Sequence, residues 1–222
     1  MKNEIKKNLI TVAAICLLLA PTVQACTGIR LIAEDGTVIH ARTMEFAIDI
    51  HSDVTMIPRG YARIGTTPDG KEGLKWKAKY ASVGANGMGL AVLFDGLNEK
   101  GLAARTFYFP TSAGYMPYTA ADAGKTIAQW EVGSWILENF ANVEEVKANI
   151  GNIVVPAVVF GGWGFAPEAH YIVHDASSDL YLDQMLAEPF EPFTFSPAGA
   201  AVYQLGPFGT AAKKLKEWDL KE

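Results

Sequence analysis

Apolar and polar residues alternate strictly along one stretch of the chain. Four apolar residues stand at every second position, Leu74, Trp76, Ala78 and Tyr80, and three lysines separate them, Lys75, Lys77 and Lys79. This is the period of a β-strand, in which successive side chains point to opposite faces of the sheet. The pattern predicts a strand from Leu74 to Tyr80 with one solvated face.

A nearly continuous apolar run further along the chain has the pattern of a β-hairpin. Leu90 to Phe94 is followed by the polar segment 95–101, which contains two glycines, and then by an apolar run from Leu102 to Phe109. Apolar runs joined by a short segment with glycine are typical of paired antiparallel strands. The sequence therefore predicts two strands here, with the turn at 95–101.

The spacing of apolar residues changes from that of a strand to that of a helix after Gly124. Four apolar residues follow at wider intervals among polar neighbours, Ile127, Trp130, Ile136 and Phe140. Asn142 precedes Glu145 by three positions, which resembles a capping box and predicts a second helix from Val143 to Ile150. Strands, then helices, then further strands indicate an α+β domain of stacked sheets flanked by helices.

Composition and charge narrow the class of protein. The chain has 222 residues, of which 50% are hydrophobic, so it can form a substantial core. Its formal net charge is −5, and no basic cluster stands away from the two ends. Nucleic acid is therefore not expected as a partner, because unspecific binding to phosphates needs a basic surface.

The first 25 residues have the pattern of a bacterial-type export signal. Lysines near the start lead into an apolar stretch from Leu9 to Ala20, which is too short to span a bilayer as a helix. The small-residue segment Val23-Gln24-Ala25 is suited to cleavage by a signal peptidase. A plain membrane anchor is the alternative interpretation. The sequence predicts a protein exported to the periplasm or secreted, with no membrane span once the signal is removed.

Cleavage after Ala25 would make Cys26 the first residue. The other cysteine, Cys16, would leave with the signal, so the processed chain could form no internal disulfide. A free α-amino group has a pKa of about 8, so it can take up the proton of the thiol of its own residue. Cys26 would then be a nucleophile for amide hydrolysis. Two alternatives stay open, a lipid-modified cysteine of an exported lipoprotein and a cysteine without a role.

A second hairpin links Cys26 to two charged residues. The strand that begins at Cys26 is expected to turn at Glu34-Asp35-Gly36 and to return as Thr37 to Thr43. Its end brings Arg42 and Glu45 toward the start of the strand. A guanidinium there favours a thiolate and a carboxylate holds an ammonium group, whereas a solvated surface pair is the alternative.

Other candidate sites are weaker. His170 and His174 lie on one face of a strand, as metal ligands would, but no third ligand stands at a useful spacing, so no metal is expected. The glycines between Gly84 and Gly89 do not have the dinucleotide-binding spacing, and no cofactor is expected. Four tryptophans are interpreted as core residues rather than ligand contacts: Trp76, Trp130, Trp135 and Trp163.

Three stretches in this order resemble the choloylglycine hydrolase family, which contains bile salt hydrolases and penicillin V acylases. They are CTGIRLIAEDGTVIHARTMEF from Cys26, DGLNEKGLAARTFYFP from Asp95, and GKTIAQWEVGSWILENFANVEEVKANIGNIVVPAVV with the later HYIVHD. The resemblance extends from Cys26 to about Asp175. It implies the four-layer αββα sandwich of the N-terminal-nucleophile hydrolases and the hydrolysis of linear amide C-N bonds.

The resemblance also implies roles for individual residues. Cys26 would be nucleophile and base, Arg42 would neighbour the thiol, and Glu45 would stand where an aspartate is more common. The backbone N–H of Tyr108 would help to bind the developing oxyanion. The implied partner is a small-molecule amide: a conjugated bile salt first, and penicillin V or an acyl-homoserine lactone as alternatives. The family is often tetrameric, so a homo-oligomer is possible.

The end of the sequence departs from the family after about residue 183. Residues 26–222 are interpreted as one family-like domain that is atypical from 184 to 222 and incomplete at its C-terminus, followed by a short amphipathic helix from Ala211 to Leu220. Phe195 stands before Ser-Pro where the family has an asparagine. Loss of one oxyanion donor lowers rates by roughly 100- to 1,000-fold, so a weak or inactive hydrolase is an alternative for this chain.

Overall fold

Within residues 26–46, 48–108, 113–177, 179–182, 193–195 and 201–204, which the computed structural model describes, the chain has twelve β-strands and two α-helices. The strands are β1 (Thr27–Ile32), β2 (Val38–Arg42), β3 (Val54–Ile57), β4 (Ala62–Thr66), β5 (Glu72–Lys77), β6 (Ser82–Ala85), β7 (Asp95–Asn98), β8 (Ala103–Tyr108), β9 (Ala169–His174), β10 (Asp179–Leu182), β11 (Phe193–Phe195) and β12 (Ala201–Gln204). The helices are α1 (Val132–Asn139) and α2 (Val143–Asn149), with short 3₁₀ turns at Ala120–Lys125, Gln129–Glu131 and Ile150–Asn152.

Most of the strands form one antiparallel sheet, here called the central sheet. Its order is β11-β10-β9-β8-β7-β6-β3, so that consecutive strands are neighbours except at one edge, where β6 pairs with β3. The β8–β9 pair joins segments that lie about sixty residues apart along the chain, from Ala103 opposite His174 to Tyr108 opposite Ala169. This long-range pair places the end of β8 beside the start of β9, which is where the candidate site forms.

A second, smaller sheet packs against one face of the central sheet. This small sheet has the order β12-β1-β2, and the β1–β2 hairpin is the one that the sequence predicts, with Gly28 opposite Arg42. Gly28 allows the close approach of the two sheets, because a β-carbon there would lie 2.9 Å from Cζ of Phe107 on β8. The small sheet thereby seats the start of β1 on the ends of β8 and β9.

Helices and the β4–β5 hairpin cover the opposite face of the central sheet and are here called the helical layer. The main hydrophobic core lies between this layer and the sheet and includes Ile136 and Leu137 of α1, Val143 and Val146 of α2, and Leu102 and Tyr171 of the sheet. Trp76 packs at the edge of this core and Trp135 lies within it, as the sequence predicts. The described residues thus supply an α-layer and two β-layers.

The predicted capping of the second helix is present in α2. The Asn142 side chain accepts a hydrogen bond from the Glu145 N–H (2.9 Å), and the Glu145 carboxylate accepts one from the Ala141 N–H (2.8 Å). Two backbone N–H groups at the start of α2 thus have side-chain acceptors, as in a capping box. The helix begins at Val143, where the sequence places it.

The prediction of a strand from Leu90 to Phe94 is wrong by several residues, because the strand begins at Asp95. The strand is β7, and the turn shrinks to Glu99–Gly101, so the hairpin exists with a shifted first arm. Leu93 is fully buried, and its N–H donates to the Ser134 hydroxyl of α1 (2.7 Å) rather than to a neighbouring strand. The apolar run is therefore explained by packing against a helix.

Two other predicted boundaries also move. The helical pattern after Gly124 becomes an α-helix only at Val132, because the segment before it pairs with a distant one: the Ile127 N–H donates to the Val154 carbonyl (3.1 Å). The strand expected to reach Tyr80 ends at Lys77, since the N–H groups of Lys79 and Tyr80 donate to the Glu138 carbonyl in α1. Tertiary hydrogen bonds therefore set where α1 begins and where β5 ends.

The remaining expectations concern the two ends of the chain. The predicted export signal at 1–25 and the predicted helix from Ala211 to Leu220 lie outside the described residues. Phe195 is the last residue of β11.

Candidate active site

Cys26 stands immediately before β1, in the space between the two sheets and the loops that join them. The residue is 1% exposed, and its Sγ lies 3.9 Å from the Glu45 carbonyl oxygen, to which the thiol donates. It forms no disulfide. The sequence predicts a nucleophile at this position, and in the fold Cys26 lines a pocket.

The β1–β2 hairpin brings Arg42 beside Cys26, as the sequence predicts. Arg42 pairs with Gly28, two residues after Cys26, and its side chain lies over the ring of Phe107 with Cζ 4.5 Å from the ring centre. Nη1 donates to the Thr106 carbonyl (2.6 Å) and Nε to the Thr43 carbonyl (3.0 Å). Nη2 is buried and has no hydrogen-bond acceptor among the described residues. Two hydrogen bonds thus hold the guanidinium, and its third nitrogen lies buried without an acceptor among the described residues.

Glu45 also lies next to Cys26, but its carboxylate is joined to the backbone of β1 through another side chain. Glu45 Oε2 accepts a hydrogen bond from the Thr43 hydroxyl (3.0 Å), and that hydroxyl oxygen accepts one from the Thr27 N–H (3.0 Å). The structure therefore brings Cys26, Arg42 and Glu45 together. A direct contact of the Glu45 carboxylate with the α-amino group stays a prediction.

Tyr108 ends β8 at the wall of the same pocket. Its ring packs edge-on against Phe46, with ring centres 5.0 Å apart, and burial raises the pKa of its hydroxyl. Its strand partner is Ala169 at the start of β9, which lines the pocket too. Tyr108 thus lies in the site that the sequence assigns to it. Its role in binding an oxyanion stays a prediction.

The pocket in front of Cys26 is large and mostly apolar. With its open mouth included, the empty space measures about 660 Å³, which is in the range of small-molecule sites. Its apolar lining comes from well-separated parts of the chain: Met44, Phe46, Ile50, Met88, Leu90, Phe94, Phe107, Trp130, Phe160 and Trp163. The only carboxylates in the lining are Glu45 and Glu168, among the described residues. Such a pocket suits an apolar or aromatic group of a ligand.

The interpretation of all four tryptophans as core residues is wrong for two of them. Trp130 and Trp163 line the pocket, and the indole of Trp163 lies 4.9 Å from the ring centre of Phe46 and 4.9 Å from that of Phe160. Trp163 lies in a loop of aromatic residues and glycines at 160–165, outside any helix or strand. Loops on a rigid scaffold often carry binding residues, and this composition is the sequence signal that identifies the wall.

A cluster of charged and imidazole side chains lies between the sheets behind Arg42. Arg30 Nε is 3.1 Å from Asp179 Oδ1, His174 Nδ1 is 2.7 Å from the same oxygen, and the His40 ring stacks on His174 with centres 4.0 Å apart. Burial, His174 and Arg105 lower the pKa of His40 to about 3, and burial lowers the pKa of His174. Both histidines are therefore neutral at neutral pH.

This cluster accounts for the histidine pair noted in the sequence. His170 and His174 are both buried on β9, and His174 is engaged by Asp179 and His40. No three His, Cys, Asp or Glu residues within the described part of the chain are placed to hold a metal ion. Likewise, none of the helices described has both the length and the apolar character that a bilayer crossing requires.

Two stacked antiparallel sheets, a helical layer and a buried cysteine at the start of an inner strand define the fold of the N-terminal-nucleophile hydrolases. The model of the linear amide C-N hydrolases of the choloylglycine hydrolase family matches residues 26–182, and the chain belongs to this family. A conjugated bile acid hydrolase of Clostridium perfringens has the same fold, with a TM-score of 0.64 at 23% identity over 79% of this chain and 52% of that one.

Curated relatives give the same family at the level of sequence. The penicillin V acylase of Pectobacterium atrosepticum is 31% identical over 188 residues, which are 80% of this chain and 49% of that protein. A bile salt hydrolase/transferase of Bifidobacterium longum is 26% identical over 163 residues, 72% of this chain and 49% of that protein. The chain therefore spans about half the length of the curated relatives it matches.

Proposed function

We propose that this chain, once cleaved before Cys26, hydrolyses linear amides with the Cys26 thiol as nucleophile and its own α-amino group as base. The observation that carries the proposal is the buried Cys26 in the lining of an apolar pocket, with Arg42 and Glu45 in the same lining. The proposal includes export, because removal of residues 1–25 is what would create the free amine.

The proposed reaction divides into two steps. In the first, the α-amine takes the thiol proton, the thiolate attacks the amide carbonyl, and the proton passes to the leaving amine, so that an acyl thioester and a free amine result. In the second, the same α-amine takes a proton from water, and hydroxide attacks the thioester, which releases the carboxylic acid and regenerates the thiol. Arg42 favours the thiolate by its charge, and Glu45 compensates the positive charges around it.

The charge that develops on the carbonyl oxygen requires hydrogen-bond donors. We assign this role to the Tyr108 backbone N–H, as the family resemblance implies, and the buried, unused Arg42 Nη2 is a second donor near the thiol. The apolar part of the substrate would enter the aromatic pocket, since burial of its surface there is favourable.

For the substrate we propose the acyl amides named for the relatives, with conjugated bile salts first. A specific observation favours penicillin V as the second candidate. The wall beside Tyr108 is aromatic, with Phe46, Phe160 and Trp163 in mutual contact, and it suits a flat aromatic acyl group. An acyl-homoserine lactone is the third candidate.

The test combines mass spectrometry with a substrate panel. Intact mass of the processed protein should correspond to a chain that begins with an unmodified Cys26. Glycocholate, taurocholate, penicillin V and an acyl-homoserine lactone should then be assayed with the wild type, Cys26→Ala and Cys26→Ser. Cys26→Ala should lose at least about 1,000-fold of any activity, because Cys26 would be the one thiol in the processed chain.

A matched control separates the thiol from the amine. A chain with one extra residue before Cys26 keeps the thiol and the pocket but has no α-amine on the nucleophile, and it should be as inactive as Cys26→Ala. A lipid-modified Cys26 in the processed protein, or hydrolysis that survives Cys26→Ala, would contradict the proposal. The first result would point to an exported lipoprotein.

A further inference from the structure

Thr43, the residue directly after β2, makes four hydrogen bonds within the site. Its N–H donates to the Thr27 carbonyl (2.9 Å), and its carbonyl accepts from Arg42 Nε (3.0 Å). Its hydroxyl oxygen accepts from the Thr27 N–H (3.0 Å) and its hydroxyl proton goes to Glu45 Oε2 (3.0 Å). One side chain and its backbone thus link Cys26's neighbour to both charged residues of the site.

The hydroxyl replaces a backbone acceptor in the β1–β2 ladder. Thr27 stands opposite Thr43, one step beyond the Gly28–Arg42 pair, and a regular antiparallel pair would exchange two backbone hydrogen bonds. Only one of these forms, from the Thr43 N–H to the Thr27 carbonyl, and the Thr27 N–H turns to the Thr43 hydroxyl instead. Because the hydroxyl accepts the Thr27 N–H, the Thr43 carbonyl can accept from the Arg42 guanidinium instead.

The direction of these bonds is fixed by Glu45. A hydroxyl has one proton and two lone pairs, so a hydroxyl that donates to a carboxylate presents its oxygen to the amide. The Thr27 N–H belongs to the peptide bond that leaves Cys26. Holding this N–H fixes the plane of that peptide and limits the rotation that would turn the thiol and α-amine of Cys26 away from the pocket.

We propose that Thr43 is a positioning residue of the active site, whose hydroxyl orients Cys26 through the Cys26–Thr27 peptide and ties that peptide to Arg42 and Glu45. This rests on the proposed function, in which Cys26 is the nucleophile. Thr43 is not among the residues that line the pocket, so its loss should affect the orientation of the nucleophile more than the binding of substrate.

The test compares Thr43→Val, which keeps the shape and removes the hydroxyl, with Thr43→Ser, which keeps the hydroxyl. In the processed full chain, Thr43→Val should lower kcat by about 10- to 100-fold and leave KM within about threefold, since a small misplacement of a reacting group has effects of this size. Thr43→Ser should restore kcat to within about threefold of the wild type. Thr37→Val, the same change in the β1–β2 turn, is the matched control and should have no effect.

A second readout does not depend on the substrate. The rate of Cys26 alkylation by iodoacetamide, measured from pH 5 to 9, should change its pH profile in Thr43→Val and keep it in Thr43→Ser and Thr37→Val. If the wild type hydrolyses no amide, the proposed function fails and alkylation still decides the role of Thr43. A wild-type profile and wild-type kcat in Thr43→Val, or equal losses in Thr43→Val and Thr43→Ser, would overturn the proposal.

Discussion

The two faces of the central sheet bury charged side chains in opposite ways. In the helical layer, the Glu138 carboxylate of α1 is fully buried and accepts from Arg63 Nη2 (2.5 Å) and Trp76 Nε1 (2.6 Å). Between the sheets, four side chains keep buried nitrogens without an acceptor among the described residues: Arg30, His40, Arg42 and Arg105. One face holds a complete pair, and the other holds three guanidinium groups and a neutral imidazole with nitrogens that have no hydrogen-bond partner among the described residues.

This difference gives the two faces different roles, one in the stability of the fold and the other in the reactivity of the proposed site. A complete buried pair fixes the helical layer on the sheet, and its parts cannot respond to a ligand without losing those bonds. Arg30 and Arg105 each contact one aspartate, at 3.1 and 3.2 Å, so Arg42 is the guanidinium on this face without a carboxylate partner among the described residues. A guanidinium beside a thiol favours the thiolate. The sheet thus carries the core on one face and the electrostatics of the proposed site on the other.

The largest expected effect follows from breaking the complete pair. Arg63→Met should lower the free energy of unfolding by about 3–5 kcal/mol, because it leaves the Glu138 carboxylate buried with a single indole donor. Urea denaturation followed by circular dichroism measures the change. Arg59→Met is the matched control, since Arg59 binds Glu99 with the same fork of hydrogen bonds but is 67% exposed. It should cost much less than Arg63→Met, because solvent screens the exposed pair, and equal losses in the two variants would refute the distinction.

The sequence predicts the local parts of this arrangement well. The β1–β2 hairpin follows from its alternation and its Glu34-Asp35-Gly36 turn, and the start of α2 follows from Asn142 and Glu145, because each depends on residues close in sequence. The grouping of Cys26, Arg42 and Glu45 follows from that same hairpin. These three residues lie within twenty positions of one another.

Features that depend on distant segments could not be predicted. The Arg63–Glu138 pair joins residues 75 positions apart, and the pocket wall combines Phe46 with Trp163 from loops that only the folded sheets bring together. The apolar run at Leu90 to Phe94 has the pattern of a strand, but the Ser134 hydroxyl takes up the Leu93 N–H instead of a neighbouring strand. A single sequence contains no information on which of these partners is available.

Acid should weaken the inter-sheet face more than the helical layer. The pKa of His40 is about 3 in the folded protein and 6.5 ordinarily, so between these values the unfolded chain binds more protons. The contribution of neutral His40 to stability is therefore fully present above pH 6.5 and is lost as the pH is lowered toward 3. At pH 5 the loss from His40 should stay below about 2 kcal/mol, because solvent screens the partly exposed ring. Burial is the main cause of the lowered pKa of His40; the neighbouring His174, Arg105 and Arg30 act in the same direction, and Asp179 opposes them.

His40→Phe tests this assignment. A phenyl ring keeps the stack on His174 and cannot take up a proton, so the variant should regain the stability that the wild type loses between pH 7 and pH 5. At pH 7 its stability should differ from the wild type by about 1 kcal/mol or less, because the buried Nδ1 that it removes has no acceptor among the described residues. Urea denaturation at both pH values gives the comparison. Identical pH dependence in both proteins would mean that His40 is not the titrating group.

The smallest effect concerns two buried serines, and it limits how far the helical layer is complete. Ser134 in α1 and Ser82 in β6 are 0% and 3% exposed, but only the Ser134 hydroxyl accepts a buried N–H, that of Leu93, whereas the Ser82 hydroxyl has no partner among the described residues. Ser134→Ala should cost about 1–2 kcal/mol, because the Leu93 amide is left without an acceptor. Ser82→Ala removes an unsatisfied group and should change stability by less than about 0.5 kcal/mol. Thermal melts of the two variants measure both changes in stability. If Ser82→Ala costs as much as Ser134→Ala, the Ser82 hydroxyl has a hydrogen-bond partner in solution, and Thr106 is the remaining hydroxyl on this face without one among the described residues.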